Sequence, residues 1–313
     1  MFHLRCLGST HLYGTEEAKH ENTDSARVSN RKSELLRVWI NTKCVRQNTA
    51  TKAWSDHIYI FAGALVSINT CLNIHFDNLT KKYGRVVALK NVTLDIAQGQ
   101  IVAILGANAA GKTTLLRSLA SVIVPDSGRI LLDNLPLQRD NLGLRRRIMF
   151  LPDTPVLYAH LNPLQHIAMV LRLYQKDQPG IEDRAIEILK HLDLLPLIDT
   201  PVAVLSRGQI YKTALAALFL VDPELWLLDE PLASGIDPSG IIYLKQMCRQ
   251  AASRGRTILY STQILDVAEN FSDRACVLHQ GMVRFFDDVK SIQKGADSQG
   301  ALEDLFRQLR EEQ

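Results

Sequence analysis

One eight-residue segment, residues 106–113, constrains the possible folds of this chain more than any other part of it. The segment reads GANAAGKT, with four residues between its two glycines and with Lys and Thr directly after the second. The apolar run of residues 101–105 (IVAIL) precedes it, as expected of a strand buried on both faces, and a helical pattern begins at Lys112. The segment therefore predicts a strand–loop–helix unit, which is typical of α/β folds with a mainly parallel sheet.

The chemistry of this loop suits phosphate groups. Backbone N–H groups converge where such a loop enters a helix, and the helix N-terminus adds partial positive charge. Lys112 would supply a charge to the terminal phosphates, and the Thr113 hydroxyl is a suitable ligand for Mg²⁺. The residues predicted to bind the nucleotide here are Gly106, Ala107, Asn108, Ala109, Ala110, Gly111, Lys112, Thr113 and Thr114.

A second apolar run, residues 225–228, ends in two carboxylates, Asp229 and Glu230. Taken alone, an acidic residue at a strand end is also typical of a helix N-cap. Downstream of a phosphate-binding loop it favours nucleotide hydrolysis, since Asp229 can hold the magnesium ion and Glu230 can polarise the attacking water as the catalytic base.

The rest of the chain alternates between strand-like and helix-like patterns, with no internal repeat. We expect strands at residues 72–76 and 86–94 on either side of a turn at residues 78–85. Further expected strands lie at residues 130–132, 257–261 and 275–279, and expected helices at residues 112–122, 162–174 and 181–192.

Charge and cysteine content exclude several classes of protein. Residues 1–70 carry 9 basic and 6 acidic groups and residues 71–313 carry 27 of each, so the main body is neutral and no nucleic-acid partner is expected. Polar residues interrupt the longest near-apolar stretch, residues 58–74, so we predict no transmembrane helix. No metal knuckle or CxxC pair occurs among the five cysteines, as suits a reducing cytosol: Cys6, Cys44, Cys71, Cys248 and Cys276.

A series of motifs in a fixed order resembles one family. Residues 124–130 (VPDSGRI) follow the phosphate loop and match a P-x-S-G-x-I turn, and residues 205–209 (LSRGQ) stand where the family has its LSGGQ signature. Residues 234–238 (SGIDP), after the acidic pair, are close to the family's SGLDP loop. Residues 71–289 thus resemble the nucleotide-binding subunit of an ABC transporter, because a signature upstream of the acidic strand distinguishes this family from other P-loop enzymes.

The resemblance implies a P-loop NTPase fold over residues 71–290, with an antiparallel β subdomain and a helical subdomain inserted at residues 155–204. It also implies that Tyr83 stacks on adenine and that two cassettes sandwich two ATP molecules head to tail. The signature would then contact the partner's ATP and Asp237 would support the dimer interface. The residues implied at the signature are Ser206, Gly208 and Gln209.

The resemblance further implies an ATPase that uses Mg²⁺, pairs with itself or with another cassette, and drives a separate transmembrane permease subunit. The expected location is cytoplasmic, peripheral on the inner face of the cell membrane. Apolar residues 156–158 and Leu161 would contact the permease or pack inside the helical subdomain. In the expected C-terminal tail, residues 291–313, residues 301–306 (ALEDLF) resemble the tail of exporter cassettes. Residues 1–70 are expected to be a poorly ordered extension or upstream sequence translated from a misplaced start, with a docking arm as the alternative.

Five positions depart from the family pattern. Asp153 stands where the family has Gln, Gln263 where it has the switch His, and Arg207 where it has the first signature glycine. Ala107 and Ala109 replace the usual Pro and Gly of the loop. Two alternatives therefore remain, a degenerate subunit that binds ATP and hydrolyses it weakly, and a soluble ABC ATPase that takes no part in transport. The transported substrate would be selected by the membrane subunit.

Overall fold

The computed structural model describes residues 72–289 and residue 291, so the expectations for residues 1–70 and for the tail at 301–306 lie outside the described part. The strands are β1 Ile74–Tyr83, β2 Val86–Ile96, β3 Ile101–Leu105, β4 Ser127–Leu132, β5 Leu135–Pro136, β6 Ile148–Leu151, β7 Leu225–Leu228, β8 Thr257–Thr262, β9 Arg274–His279 and β10 Met282–Asp288. The helices are α1 Lys112–Leu119, α2 Leu142–Arg145, α3 Pro163–Leu173, α4 Ile181–His191, α5 Arg207–Val221, α6 Pro238–Ser253 and α7 Leu265–Phe271.

The larger sheet has six strands in the order β10-β9-β3-β8-β7-β6. All neighbouring pairs from β9 to β6 are parallel, and β10 runs antiparallel to β9 at one edge. Leu105 pairs with Thr262 and Leu228 pairs with Tyr260, so the carboxyl ends of β3, β8 and β7 lie side by side. This register brings the loop after β3 next to the acidic residues after β7.

A smaller antiparallel sheet, β2-β1-β4-β5, covers the other side of the core. The expected turn at residues 78–85 starts too early, because β1 continues to Tyr83 and the turn occupies only Gly84, whose φ is +59°, and Arg85. The polar residues that suggested a turn lie in an irregular strand, with Asn78 at φ +50° and register shifts on both sides of Leu79. Bulges of this kind let a strand bend without ending.

One apolar core joins the two sheets and α1. Phe76 of β1, Ile104 of β3, Leu115 of α1 and Leu227 of β7 are all buried in the same cluster. Every residue of β3 and β7 is buried, as their continuous apolar sequences predict. The α/β fold with a mainly parallel sheet and an added antiparallel sheet is confirmed.

The segment between β6 and α5 is mostly helical. Pro163 is at the start of α3, and Asn162 caps this helix in a reciprocal pair with Gln165. Helices α3 and α4 pack against α5, and 3₁₀ turns at Leu195–Leu197 and Val202–Val204 complete the segment. Both helices lie within about one residue of the expected ranges. Within the described residues, no helix combines the length and apolar content required to cross a membrane.

Candidate functional site

A cavity of about 710 Å³ opens at the carboxyl edge of the parallel sheet. The β1–β2 hairpin, the loop after β3 and the ends of β6, β7 and β8 surround it. Nine of the sixteen predicted site residues therefore come together in one place. The predicted nucleotide and catalytic residues that line the cavity are Tyr83, Asn108, Ala109, Gly111, Lys112, Thr113, Thr114, Asp229 and Glu230.

Close backbone approach explains the two loop glycines. A Cβ atom on Gly106 would lie 2.5 Å from the Leu278 carbonyl oxygen, and one on Gly111 would lie 2.5 Å from that of Ala88. Gly111 also has a φ of +107°, in the left-handed region that side chains disfavour. Ala109 adopts φ +62° despite its methyl group, so this departure from the family pattern places strain in the loop.

Lys112, at the start of α1, is buried beneath the loop. Its Nζ donates hydrogen bonds to the carbonyl oxygens of Gly106 at 2.8 Å and Ala107 at 3.2 Å, and lies 3.4 Å from Glu230 Oε1. Gly106, Ala107 and Ala110 are not among the residues lining the cavity, and the first two hold the lysine through their carbonyl oxygens. The loop thus directs a single ammonium group toward the acidic strand end.

The acidic strand end is held by hydroxyl groups. Thr113 Oγ1 donates to Asp229 Oδ1 at 3.0 Å, and Ser261 Oγ donates to the same oxygen at 2.7 Å. Ser261 also accepts the backbone N–H of Glu230 at 2.8 Å. Sequence reasoning missed Ser261, because its importance depends on β8 lying beside β7. A serine at the carboxyl end of a core strand was the available signal.

Three of the unusual residues lie at the rim of the cavity. Gln263 follows β8 and lines the cavity, as do Asp153 after β6 and Arg207 at the start of α5. The Arg207 guanidinium donates a 2.9 Å hydrogen bond from Nη2 to Asp153 Oδ1. Two departures from the family pattern that the sequence presented separately are therefore in direct contact.

Three signature residues, Ser206, Gly208 and Gln209, lie at the N-terminus of α5 and, unlike Arg207 between them, do not line the cavity of their own chain. Ser206 Oγ accepts the Gln209 N–H at 3.3 Å, while Gln209 Oε1 accepts the Ser206 N–H at 2.9 Å. This capping box fixes the start of the helix. A Cβ on Gly208 would lie 2.6 Å from the Gly235 carbonyl oxygen, so the helix start packs closely on the loop that follows β7.

Asp237 caps α6 and is also outside the cavity lining. It accepts the Gly240 N–H at 2.8 Å and the Ser239 hydroxyl at 2.6 Å, and it pairs with the ammonium group of Lys212 on α5. The hydrogen bond from Lys212, followed by those from Ser239 and Gly240, holds the pKa of Asp237 well below its usual range. Lys212 is buried and was not identified from the sequence.

The loop between β3 and α1, the buried lysine and the strand-end carboxylates on a parallel sheet together define a P-loop nucleotide-binding protein. A profile of the ABC transporter family matches residues 89–233. The ABC-type transporter ATP-binding protein EcsA of Bacillus subtilis (strain 168) is 32% identical over 236 residues, covering 75% of this chain and 95% of that protein. The chain therefore belongs to the family of ABC transporter ATP-binding proteins.

Further relatives agree with this assignment. The SkfA peptide export ATP-binding protein SkfE of Bacillus subtilis (strain 168) is 30% identical, over 66% of this chain and 84% of that protein. A solved structure of an ATP-binding subunit of an ABC transporter superposes with a TM-score of 0.70 at 29% identity, covering 76% of this chain and 99% of that chain. The predictions of a P-loop NTPase fold and of an ATP-hydrolysing ABC subunit are confirmed.

Proposed function

We propose that the protein binds Mg-ATP in the 710 Å³ cavity, hydrolyses it with Glu230 as the base, and drives a separate membrane permease. The observation that carries this proposal is the convergence of Lys112, Thr113, Asp229 and Glu230. These side chains come from two distant parts of the sequence and are linked at 3.0 and 3.4 Å. Tyr83, half-exposed at the hairpin end, lines the cavity and would stack on adenine there.

The residues present fit a magnesium ion. The Thr113 hydroxyl and an Asp229 carboxylate oxygen are hard oxygen ligands 3.0 Å apart, and Mg²⁺ binds through one or two such groups together with substrate phosphates. When bound, the ion would neutralise charge on the phosphate oxygens. Ser261 keeps Asp229 oriented toward this position.

The protein groups then have distinct roles in hydrolysis. Lys112 binds the terminal phosphates, and this exchange releases Glu230 from its 3.4 Å contact with the ammonium group. The freed Glu230 carboxylate accepts a proton from water as the water oxygen attacks the γ-phosphorus. The bond from that phosphorus to the bridging oxygen breaks, and ADP and phosphate leave.

We assign to the start of α5 a contact with the ATP that a second cassette holds. Ser206, Gly208 and Gln209 present a capped helix N-terminus beyond their own cavity, which suits the γ-phosphate held by a partner subunit. Asp237, held by Lys212, would fix the loop at that interface. A dimeric ATP-binding cassette bound to ADP and Pi is 28% identical and superposes with a TM-score of 0.62. The partner is a second copy or another cassette.

The permease contact is assigned to the segment after β6. Val156 is 93% exposed and Tyr158 is 58% exposed, although Leu157 and Leu161 are partly buried in the helical insert. Both expected roles of this segment are thus supported, by different residues. Such a contact would place the subunit on the cytoplasmic face of the membrane. The export proteins among its relatives favour export, with the permease selecting the substrate.

Binding and turnover of the full-length chain test the nucleotide assignment. Fluorescence of mant-ATP should report binding by the wild type, and phosphate release should require Mg²⁺. Lys112→Ala should lose both, because it removes the charge that holds the phosphates. Unchanged binding by Lys112→Ala would contradict the proposed site.

Purification of the chain from its host in mild detergent tests the permease assignment. A membrane protein should co-purify, and the Val156→Ser/Tyr158→Ser double variant should recover much less of it. Ile242→Ser, at a 68% exposed position on α6, is the matched control and should recover as much as the wild type. Equal recovery by the double variant would contradict the contact.

A subunit that binds ATP but turns it over slowly is the second candidate. Gln263 lines the cavity at the family's switch position, and its amide carries no positive charge to the transferring phosphoryl group. Tight binding of mant-ATP with negligible phosphate release, in the complete membrane complex, would favour this candidate.

A further inference from the structure

Two residues at the rim of the cavity, Asp153 and Arg207, form an ion pair that links separate parts of the fold. Asp153 follows β6 of the core, and Arg207 is the first residue of α5, 54 positions later. The Arg207 Nη2 atom lies 2.9 Å from Asp153 Oδ1, and both residues line the same cavity as Lys112 and Glu230.

The pair has little to contribute to folding. The two side chains are 57% and 44% exposed, and exposed ion pairs add little to the free energy of unfolding. The ion pair instead affects the charge of the cavity wall, which matters because the proposed ligand of the cavity, ATP, is a polyanion.

The charges that line the cavity are balanced. Three cations line it, Lys112, Arg117 and Arg207, and three carboxylates, Asp153, Asp229 and Glu230. Lys112 already lies against Glu230 and Thr113 against Asp229. Arg207 is the cation that lies within hydrogen-bonding distance of Asp153 among the residues that the structure describes. Without it, the Asp153 carboxylate would face incoming phosphates unpaired.

We propose that Arg207 is a positioning residue for nucleotide binding, which neutralises and holds the Asp153 carboxylate so that this cavity accepts a triphosphate. The inference rests on the proposed nucleotide site. Arg207 acts through Asp153, so the two departures from the family pattern compensate each other. An arginine at this place is needed because an acid stands opposite.

A double-mutant experiment separates this action from direct contact with the nucleotide. We expect Arg207→Ala in the full-length chain to weaken mant-ATP binding about ten-fold at low salt. The reason is that the unpaired Asp153 carboxylate would repel the phosphates of the nucleotide in the same cavity. The Arg207→Ala/Asp153→Asn double variant should regain most of the affinity. Salt should reduce the defect of the single variant, because exposed charges are screened.

Matched variants control for net charge and for folding. Arg207→Ala/Asp140→Asn has the net charge of the double variant but removes an exposed acid outside the cavity lining, so it should remain weak. Arg129→Ala breaks an equivalent 2.9 Å pair with Asp77 on the antiparallel sheet and should bind as the wild type does. Thermal unfolding of each variant should show little change.

The outcomes distinguish the inference from the site on which it rests. Arg207→Ala that binds as tightly as the wild type would overturn the inference, and so would a double variant as weak as the single one. The second result would make Arg207 a direct ligand of the nucleotide. If the wild type and Lys112→Ala bind mant-ATP equally, the nucleotide site fails and the inference fails with it.

Discussion

The Ser261 hydroxyl at the carboxyl end of β8 donates a 2.7 Å hydrogen bond to Asp229 Oδ1 at the end of β7. The same oxygen of Ser261 accepts the Glu230 backbone N–H at 2.8 Å. One buried hydroxyl therefore orients both acidic residues. Glu230 has a φ of +46°, an unfavourable conformation for a side chain of this size, and the bond to Ser261 helps to hold it there.

Ser261→Ala should lower turnover with little effect on nucleotide binding. Asp229 and the Glu230 N–H would each lose a buried partner, so we expect a fall of about 1–3 kcal/mol in the free energy of unfolding. The loss of orientation should lower kcat about ten-fold or more, because the proposed base Glu230 and the proposed metal ligand Asp229 are no longer held in position. Urea denaturation and phosphate release measure the two effects. Ser253→Ala, at an exposed serine in the last turn of α6, should change neither.

Glu230→Gln should trap an ATP-dependent dimer, or a heterodimer if the natural partner is another cassette. The amide cannot accept the proton of the attacking water, while the phosphate contacts of Lys112 remain. Size-exclusion chromatography with and without Mg-ATP measures the shift. Glu230→Gln combined with Lys112→Ala should remain monomeric. Tight ATP binding by Glu230→Gln without a shift for any candidate partner would argue against the sandwich arrangement.

Ala109→Gly and Ala110→Gly should change stability in opposite directions. Ala109 has φ +62°, so glycine relieves strain of about 1–2 kcal/mol, partly offset by the greater freedom of the unfolded chain. Ala110 is buried and has no positive φ, so its change to glycine should destabilise by about 1 kcal/mol. Urea denaturation without nucleotide compares the two. A loss of stability in both variants would show that Ala109 is not strained.

Asp237→Asn should lower the stability of the protein at neutral pH and should make that stability less sensitive to a fall in pH. Because Lys212 holds the pKa of Asp237 below its usual range, the unfolded chain binds a proton at higher pH than the folded one. The contribution of this carboxylate is complete above its unfolded-state pKa and is lost as the pH falls toward the folded-state pKa. Urea midpoints of the wild type and Asp237→Asn should therefore begin to converge below about pH 4 and approach each other further as the pH falls. The control, Asp140→Asn, should follow the wild type throughout, and parallel curves for Asp237→Asn would refute the assignment.

Gln263→His should raise kcat without much tightening of nucleotide binding. Gln263 lines the cavity at the family's switch position, and an imidazole there can orient the water and donate to the transferring phosphoryl group. One charge-assisted contact of this kind contributes roughly 1–3 kcal/mol, or about five- to hundred-fold in rate. Steady-state hydrolysis by the complete membrane complex measures it. A lowered kcat would mean that the site has been rebuilt around Gln263.

Where a single segment of the chain forms a part of the site, its local sequence was enough to predict that part. Residues 106–113 hold the strand end, the tight loop and the helix start within eight positions, so their spacing alone predicts the phosphate loop. The same holds for β7 and its two carboxylates. The start of the expected turn at residue 78 shows the limit, since polar residues in a bulged strand look like a loop when the partner strand is unknown.

The sequence by itself determined the phosphate loop and the acidic pair, because each depends on residues close together along the chain. The class of fold and the family followed from the order of such short motifs and patterns along the chain. Only the tertiary structure decided which side chains meet across the cavity. Ser261 reaches Asp229 because β8 lies between β3 and β7, and Arg207 reaches Asp153 because α5 starts beside the end of β6. Such contacts join positions 32 and 54 residues apart, and neither periodicity nor spacing encodes the strand order and helix packing that bring them together.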